Sequence, residues 1–344
     1  MITSEVFGTL RDGTQVTCWT IRNHTGGSVS VLDYGGTVQS IVVPDRSGLP
    51  VDVVLGYDTV TDYETQSYYA GATIGRHGNR IGKGCFELNG KSYQLCCNNG
   101  PNHNHGGPVG FDRKLFTAEV NGDVLRMHLV SPDGDQGYPG TLQLTVEFSL
   151  SEENSLKIHY LAEADQDTLC NLTNHSYFDL SGGANPMGQI LQVDAEYITE
   201  NDENTLPTGR YLPVAGTPFD FRQGKPIETD LHDPLPQLSR LRGYDHNFVL
   251  DKGSAFGIFA SLYSPETGIL MTAETDLPGL QVYSASYMEK HAGKGGRSYY
   301  PWCAVALETQ SFPNGMAIAE FPSPVLRKGE VYDHTTVYSF KTQV

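Results

Sequence analysis

Basic side chains are few in this sequence of 344 residues. It contains 23 lysines and arginines against 40 aspartates and glutamates, which gives a formal net charge of −17 at pH 7. Nucleic acids and anionic membrane surfaces attract proteins mainly through clusters of basic side chains. We therefore expect neither a nucleic acid nor a membrane as a partner.

Long apolar runs are missing as well. No segment approaches the roughly 20 apolar residues that a membrane-spanning helix needs. The N-terminal MITSEVFGTLRDGTQ also lacks a basic stretch followed by an apolar one, the pattern of a secretory signal. The six cysteines show no Cys-x-x-Cys spacing, and Cys96 and Cys97 are adjacent, which suits neither a disulfide framework nor a zinc site. We expect reduced thiols and hence a cytoplasmic protein.

Several motifs of enzyme chemistry are absent. The sequence has no Gly-x-Ser-x-Gly elbow, no phosphate-binding loop ending in Gly-Lys-Ser/Thr, and no Gly-x-Gly-x-x-Gly at the start of a helix. Hydride transfer and nucleotide hydrolysis therefore lose support. His103 and His105 are two residues apart and would share one face of a strand, but no nearby carboxylate or thiol completes a metal-ligand set. We expect neither a cofactor nor a metal.

The patterns that are present belong to β-strands. Apolar and polar residues alternate in TLQLTVEFSL (141–150) and again in SLKIHYLAEA (155–164), so the SEEN segment between them predicts the turn of an antiparallel hairpin. Two further hairpins are predicted at Asn89-Gly90 and Asn121-Gly122, because both residues of an Asn-Gly turn can take positive φ angles.

Convincing amphipathic helices are scarce, whereas 38 glycines and 19 prolines supply turns throughout the chain. Many short strands separated by turns are typical of all-β proteins. We predict a large antiparallel β-sandwich with few short helices. Composition hardly changes along the chain and no linker stands out, so we expect a single domain over residues 1–344.

Polar and ionisable groups concentrate beside aromatic residues or glycines in five segments. A cleft lined with amides, charged groups and aromatic rings would suit a sugar, since hydroxyls need polar partners and the ring's C–H faces stack on aromatics. Taken singly, the segments also fit solvated glycine-rich turns or polar loops. The segments are GRHGNRIGKG (75–84), NNGPNHNHGG (98–107), NLTNHSYFDLSG (171–182), GYDHNFVL (243–250) and ALETQSFPNG (306–315).

His175 and Glu308 differ from the other polar residues of these segments. Tyr177 and Phe178 follow the histidine closely, and the apolar run AVAL precedes the glutamate. An ionisable group in an apolar setting requires either a partner or a reaction. We therefore regard these two side chains as the candidates for proton chemistry.

Together and in this order, the segments resemble the galactose mutarotase (aldose 1-epimerase) family. The resemblance extends over nearly the whole chain and implies a large β-sandwich, no cofactor, and interconversion of the α and β anomers of free hexoses, with galactose prominent. Its landmarks are GRHGNRI, NGPNHNHGG, TNHSYFDLSG, LPTGRYLPV, GYDHNFVL, LPGLQVYSAS, LETQSFPN and FPSPVLRKGEVYDHTTVYSF.

The resemblance also implies roles for individual residues. His175 matches the family's general acid, Glu308 matches its general base, and His105 lies close to the ring oxygen of the sugar. The sugar-binding positions fall on Asn79, Arg80, Asp245 and Gln281. Apart from the resemblance, the aromatic rings of Tyr177 and Phe178 could offer stacking faces to a sugar, although we expect at least one of them to be a core residue.

Three residues depart from the family pattern. Gly78 stands where the family usually has alanine, Asn104 where it has leucine, and Ser311 where it has histidine. None of the three replaces a proposed acid or base. All adjoin the expected pocket, so the sugar preference of the family does not carry over directly to this sequence.

Opening a pyranose ring requires a base and an acid that act together. The base removes the proton of the anomeric hydroxyl while the acid protonates the ring oxygen, so neither an alkoxide nor an oxonium forms free. Glu308, with an ordinary pKa of about 4.3, would start ionised, and His175, with one of about 6.5, would carry a proton near neutral pH. We therefore expect a monosaccharide as the ligand. We expect the protein to be a monomer or a homodimer.

Other functions remain open at this point. Glu308 and Asp245 could form the carboxylate pair of a glycosidase. A non-catalytic sugar-binding protein would use the same amides and aromatic rings without a poised acid and base. A hexose 6-phosphate epimerase would need additional arginines near the pocket, and Arg76, Arg113 and Arg242 are available for that role.

Overall fold

A computed structural model describes residues 1–343 of the chain. Strands dominate it, which confirms the predicted all-β class. Over the described residues, the only α-helices are α1 (Val60–Thr65) and α2 (Pro236–Ser239). Both are short, as expected. Single turns of 3-10 helix cover Gly82–Gly84, Phe111–Arg113, Asp135–Gly137, Pro186–Gly188, Ile227–Thr229 and Lys294–Gly296.

Thirty strands occur within residues 1–343, and we number them in chain order. The first fifteen are β1 (Ile2–Thr9), β2 (Gln15–Arg22), β3 (Ser28–Leu32), β4 (Thr37–Pro44), β5 (Pro50–Asp52), β6 (Thr73–Ile74), β7 (Arg80–Ile81), β8 (Cys85–Leu88), β9 (Lys91–Gln94), β10 (His103–Asn104), β11 (Thr117–Asn121), β12 (Val124–Ser131), β13 (Leu142–Leu150), β14 (Ser155–Ala164) and β15 (Thr168–Leu169). The others are β16 (Thr173–Asn174), β17 (Tyr177–Phe178), β18 (Ile190–Val193), β19 (Tyr197–Asn201), β20 (Pro207–Pro213), β21 (Lys225–Pro226), β22 (Asp245–Val249), β23 (Gly257–Tyr263), β24 (Ile269–Thr275), β25 (Gly279–Tyr283), β26 (His291–Ala292), β27 (Ser298–Tyr299), β28 (Val305–Gln310), β29 (Val325–Leu326) and β30 (Val331–Thr342).

Three sheets carry most of the strands. The five-stranded sheet has the order β1-β2-β3-β4-β5, the nine-stranded sheet β11-β12-β13-β14-β30-β24-β23-β18-β21, and the six-stranded sheet β17-β28-β25-β22-β19-β20. The strand pairs within these sheets are antiparallel, as in β14 against β30 and β25 against β28. Other strands form separate two-stranded ribbons, such as β7 with β10 and β6 with β16.

The predicted hairpins form, one of them with a shifted turn. In the long hairpin of β13 and β14, Leu150 pairs with Leu156 on either side of the turn. Asn89 and Gly90 join β8 to β9 with φ angles of 53° and 75°, as an Asn-Gly turn requires. Asn121, by contrast, is the last residue of β11 and pairs with Val124, so its turn consists of residues 122 and 123.

The nine-stranded and six-stranded sheets pack face to face. The rings of Phe178 and Tyr338 lie 4.9 Å apart between their centroids, and the Tyr338 hydroxyl donates to the Leu307 carbonyl at 2.9 Å. The hydroxyls of Thr309 and Thr336 lie 2.7 Å apart across the same interface. One face of the six-stranded sheet is thus committed to the core, and its other face is available for a site.

No helix within residues 1–343 has the length and apolar character needed to cross a membrane. All six cysteines are unpaired, and Cys85, Cys96 and Cys97 are exposed.

Candidate active site

The second face of the six-stranded sheet presents a row of polar side chains. Successive residues of a strand point to opposite faces, so Glu308 points away from the core into which Leu307 is packed. Gln281 pairs with Glu308 across β25 and β28, which places both on this second face. Asp245 begins β22 on the same sheet, and Tyr177 lies on β17 at its edge.

Loops and short ribbons bring the other predicted residues over this face. The backbone N–H of His175 donates to the carbonyl of Ala72 at 2.9 Å, and its carbonyl accepts from the N–H of Gly71 at 2.9 Å. These bonds fix the histidine just after the ribbon of β6 and β16. Arg80 lies on β7 and His105 follows its partner strand β10, so one ribbon positions both.

A cavity of about 410 Å³ lies between the sheet face and the loops. Its volume is within the roughly 300–1,000 Å³ of small-molecule sites. Seven of the eight predicted site residues line it, and Gln281 is the exception. The lining consists of Ser67, Tyr68, Tyr69, Asn79, Arg80, Asn99, Asn104, His105, His175, Tyr177, Thr205, Asp245, Tyr283, Tyr287 and Glu308.

His175 and Glu308 meet in this cavity. The histidine Nε2 lies 3.6 Å from the glutamate Oε1, and both side chains are almost fully buried. Neither His175 Nδ1 nor Glu308 Oε2 has a hydrogen-bond partner among residues 1–343. A proton donor and a proton acceptor therefore face the same enclosed space.

Burial shifts the pKa values of both groups towards their neutral forms. It lowers the pKa of His175 from 6.5 to about 4. Burial and the neighbouring Asp245 carboxylate raise the pKa of Glu308 from 4.5 to about 8, although the Arg80 guanidinium opposes the rise. Burial thus favours the protonated form of Glu308 in the free site, whereas its ordinary pKa would leave it ionised at neutral pH.

His105 completes a cluster that could be mistaken for a metal site. One donor atom each of His105, His175 and Glu308 lies within 4.8 Å of the others. However, the backbone N–H of Asn79 donates to His105 Nδ1 at 3.2 Å. Burial lowers the pKa of His105, so the ring is neutral and its hydrogen sits on Nε2, which has no free lone pair for a metal. His105 is better suited to donate a hydrogen bond to a ligand.

His103 does not share a face with His105. Its Nδ1 lies 2.7 Å from the carbonyl oxygen of Cys96, and its Nε2 lies 2.7 Å from the Tyr138 hydroxyl. His105 follows the strand with a φ of 49°, which breaks the alternation on which the proposed histidine pair depended. His103 is a structural residue with both ring nitrogens engaged.

Asp245 is the centre of the predicted sugar-binding residues. Its Oδ1 accepts from the Gln281 side chain at 2.6 Å, and its Oδ2 lies 3.5 Å from the Arg80 guanidinium. The Gln281 side chain in turn accepts from Gln310 at 3.2 Å, so both ends of its amide are occupied by protein. The geometry therefore gives Gln281 the role of orienting Asp245 rather than of lining the cavity.

Tyr69 and Tyr283 line the cavity but were not predicted. The Tyr69 ring lies 4.7 Å from the ring of His105 and 6.0 Å from that of His175. Its local sequence carries no distinguishing signal, and its φ of 57° is not foreseeable from a strand or helix pattern. Tyr283 could have been found, because it lies two residues after Gln281 on β25 and so shares that residue's face.

The other predicted side chains have mixed outcomes. Tyr177 lines the cavity, whereas Phe178 is fully buried in the core, as expected for at least one of the two. Of the three departures from the family pattern, only Asn104 lines the cavity; Gly78 and Ser311 do not.

Two of the three arginines that we considered as ligands for a sugar phosphate instead form hydrogen bonds within the fold. Arg76 is 1% exposed and donates to backbone carbonyls, which contradicts its interpretation as a solvated residue of a glycine-rich turn. Arg113 donates to the carbonyls of Glu64 and Gln66. Arg242 does not line the cavity, but its guanidinium carbon lies 5.8 Å from the ring centroid of Tyr287, which does.

Comparison with known proteins identifies the family. The sequence model of the family described as aldose 1-epimerase matches residues 17–339. Galactose mutarotase of Sus scrofa is 39% identical over 315 residues, which cover 91% of this chain and 90% of the relative. The chain belongs to the aldose 1-epimerase family. Aldose 1-epimerase of Escherichia coli K12 is 34% identical over 334 residues and 96% of each chain.

Solved structures of this family agree with the fold. The aldose epimerase homologue of C. elegans superposes with a TM-score of 0.88 at 29% identity, covering 94% of this chain and 98% of that one. Galactose 1-epimerase of Lactobacillus acidophilus NCFM gives a TM-score of 0.87 at 28% identity, covering 100% and 99%. The predicted galactose mutarotase-like sandwich is thereby confirmed.

Proposed function

We propose that the protein is an aldose 1-epimerase that interconverts the α and β anomers of a free hexose such as galactose or glucose. The observation that carries this proposal is the pair formed by His175 and Glu308, with 3.6 Å between Nε2 and Oε1 inside the polar cavity. A family member with this pair has the acid and the base that ring opening needs.

In the proposed reaction, Glu308 takes the proton of the C1 hydroxyl as the bond between C1 and the ring oxygen breaks. The electron pair of that bond remains on the ring oxygen, which takes a proton from His175. The product is an open-chain aldehyde. After rotation about C1–C2, the two groups exchange roles and the hydroxyl closes on the other face of the carbonyl.

Substrate binding sets the proton on the correct partner. A C1 hydroxyl that donates to Glu308 favours the carboxylate, and a ring oxygen that accepts from His175 favours the imidazolium. The single proton of the pair thus moves from the glutamate, where the empty site holds it, to the histidine. No redox step or covalent enzyme intermediate is needed.

The remaining predicted residues would hold the sugar in place. Arg80 and Asp245 present a charged donor and a charged acceptor about 3.5 Å apart, which suits neighbouring hydroxyls. Asn79 and the Nε2–H of His105 add further polar contacts, and Gln281 keeps Asp245 oriented. Such positioning keeps the ring oxygen near its proton donor.

Polarimetry of freshly dissolved sugars tests this function. We expect the protein to accelerate the change in rotation of α-galactose and α-glucose. Glucose 6-phosphate should react poorly, because the Asp245 carboxylate lies in the cavity and Arg76 and Arg113 are engaged elsewhere. A preference for the phosphorylated sugar would favour the hexose 6-phosphate epimerase, and the absence of any acceleration would contradict the epimerase assignment.

The pH dependence of the reaction should be bell-shaped. The pair holds two protons below the pKa of His175, about 4, and none above that of Glu308, about 8. Only the state with one proton contains both an acid and a base. We expect kcat/KM to rise as the pH passes through about 4 and to fall as it passes through about 8. After subtraction of the uncatalysed rate, a kcat/KM that stays constant from below pH 4 to above pH 8 would contradict the proposal that the active pair holds one proton.

A glycosidase receives no support from the geometry, because the group beside Glu308 is a histidine and Asp245 is bonded to Gln281 and Arg80. We further propose a cytoplasmic protein, acting as a monomer or a homodimer. Its six unpaired cysteines support the reducing compartment.

A further inference from the structure

Asn104 stands out among the residues that line the cavity. Over residues 1–343, three buried side-chain atoms of the lining have no hydrogen-bond partner: His175 Nδ1, Glu308 Oε2 and Asn104 Oδ1. The first two belong to the proton-transferring pair. The third belongs to a side chain with no part in the proposed proton transfer.

The backbone of Asn104 is held firmly while its side chain is left free. Its N–H donates to the side-chain oxygen of Asn98 at 2.7 Å, and its carbonyl accepts from the side-chain nitrogen of Asn98 at 3.0 Å. The N–H of Gly107 donates to the same carbonyl at 3.0 Å. A residue that is 6% exposed is thus positioned by its main chain, and it lines the cavity with a carboxamide whose Oδ1 is buried and without a partner among residues 1–343.

The neighbours of Asn104 are sugar-binding groups. It pairs with Arg80 across β7 and β10, and residues directly opposite in an antiparallel pair place their side chains on one face. The next residue in the chain, His105, also lines the cavity. The carboxamide therefore extends the row of polar groups that runs from Asp245 through Arg80.

We propose that Asn104 binds a non-anomeric hydroxyl of the hexose and determines which sugars are preferred; this inference rests on the proposed function. A carboxamide can accept a hydrogen bond from a hydroxyl and donate one to its neighbour. The anomeric hydroxyl and the ring oxygen belong to Glu308 and His175, so another hydroxyl is bound. A buried acceptor without a partner is costly, and a bound hydroxyl would satisfy it.

The resemblance makes the consequence specific. By that resemblance leucine is the residue expected at this position, and it would offer only an apolar surface. A site built to hydrogen-bond a hydroxyl rejects an analogue that lacks it, because a buried polar group is then left unpaired. We therefore expect this protein to discriminate strongly against one deoxy sugar.

The test compares the wild type with Asn104→Leu on galactose and on its 2-, 3-, 4- and 6-deoxy derivatives. On galactose, the variant should lose roughly ten-fold in kcat/KM, mainly through a higher KM, because a ground-state contact is removed. On the one derivative that lacks the bound hydroxyl, the variant and the wild type should be equally efficient. Equal losses on every sugar, or no loss on any, would overturn the proposal. Asn104→Ala gives the same comparison if the leucine variant does not fold.

Gly78→Ala serves as the matched control. It alters another departure from the family pattern, but the new Cβ would face the Asn171 carbonyl and the Thr173 methyl, each at 3.3 Å, rather than the cavity. Its pattern of preference among the five sugars should equal that of the wild type. If Gly78→Ala changed the preference among the five sugars as much as Asn104→Leu does, the effect would not be specific to Asn104. That result would contradict a direct contact between Asn104 and a hydroxyl.

Binding of 1,5-anhydrogalactitol separates this inference from the proposed function. The compound has no anomeric hydroxyl and cannot open, so calorimetry measures recognition without chemistry. Weaker binding by Asn104→Leu than by the wild type is expected, and equal binding would contradict the role of Asn104. A wild type that binds this compound but does not accelerate mutarotation would refute the epimerase and leave the binding comparison valid.

Discussion

Replacing His175 by asparagine is expected to abolish the catalysed change in rotation of α-galactose, with a loss of roughly 10²- to 10⁴-fold in kcat. Glu308→Gln should have a similar effect. Asparagine and glutamine keep much of the shape and polarity of the side chains but cannot exchange a proton near neutral pH. Polarimetry, with the uncatalysed rate subtracted, measures both losses.

The double variant tests whether the two groups act as one unit. If a single proton passes between substrate and pair, removal of one group disables the other. We therefore expect His175→Asn with Glu308→Gln to be no slower than the slower single variant. Multiplied losses, or full activity in either single variant, would count against the proposed pair.

Stability measurements show whether these variants remain folded, and the sign of the effect follows from the pKa values. Folding raises the pKa of Glu308 from 4.5 to about 8, so the wild type loses stability as the pH rises across that interval. Glu308→Gln has no carboxyl group to ionise at this position, so it does not lose stability in this way. It should be at least as stable as the wild type at pH 8. Folding lowers the pKa of His175 from 6.5 to about 4, so its ionisation costs stability only as the pH falls below 6.5.

Much of the fold could be predicted because local patterns determine it. Strict alternation in residues 141–150 and 155–164 places one row of side chains in the core whatever the neighbouring strands are. The Asn121-Gly122 turn shifted by one residue because its pairing with Val124 extends the strand through Asn121. An Asn-Gly pair fixes the presence of a turn more firmly than its position.

The residues of the candidate site could be predicted from the sequence. Which of them line the cavity and which lie behind the lining could not. The resemblance located His175, Glu308 and Asp245, but only the register of β25 against its neighbours places Gln281 behind Asp245. The pKa values also depend on burial, which is a property of the assembled loops. A sequence motif contains no information on the 3.6 Å separation between His175 Nε2 and Glu308 Oε1.

The burial and the hydrogen bonds of Arg76 could not be predicted from its sequence motif either. Within the motif GRHGNRI it resembles a solvated arginine, yet its guanidinium donates to the carbonyls of Ser131, Pro132, Pro139 and Gly140 at 2.7–3.2 Å. Its Nη2 also lies 2.7 Å from the Ser131 hydroxyl, which in turn donates to Asp135 at 2.6 Å. Over residues 1–343 no carboxylate forms a direct ion pair with it. Carbonyl dipoles therefore compensate a buried charge and connect the motif to the β12 end of the nine-stranded sheet.

Arg76→Leu is consequently expected to lower the free energy of unfolding by roughly 3–5 kcal/mol, because several buried carbonyls lose their donor at once. Urea unfolding monitored by circular dichroism measures the change. Arg113→Leu is the comparison variant: its guanidinium donates to two carbonyls and lies 3.5 Å from the Asp112 carboxylate, but its side chain is 28% exposed, so water can replace part of what is lost and the loss should be smaller. Arg76→Lys should fall between the wild type and Arg76→Leu, since an ammonium group keeps the charge but cannot span the same acceptors. A loss in Arg76→Leu no greater than in Arg113→Leu would mean that the carbonyl cage contributes little to stability.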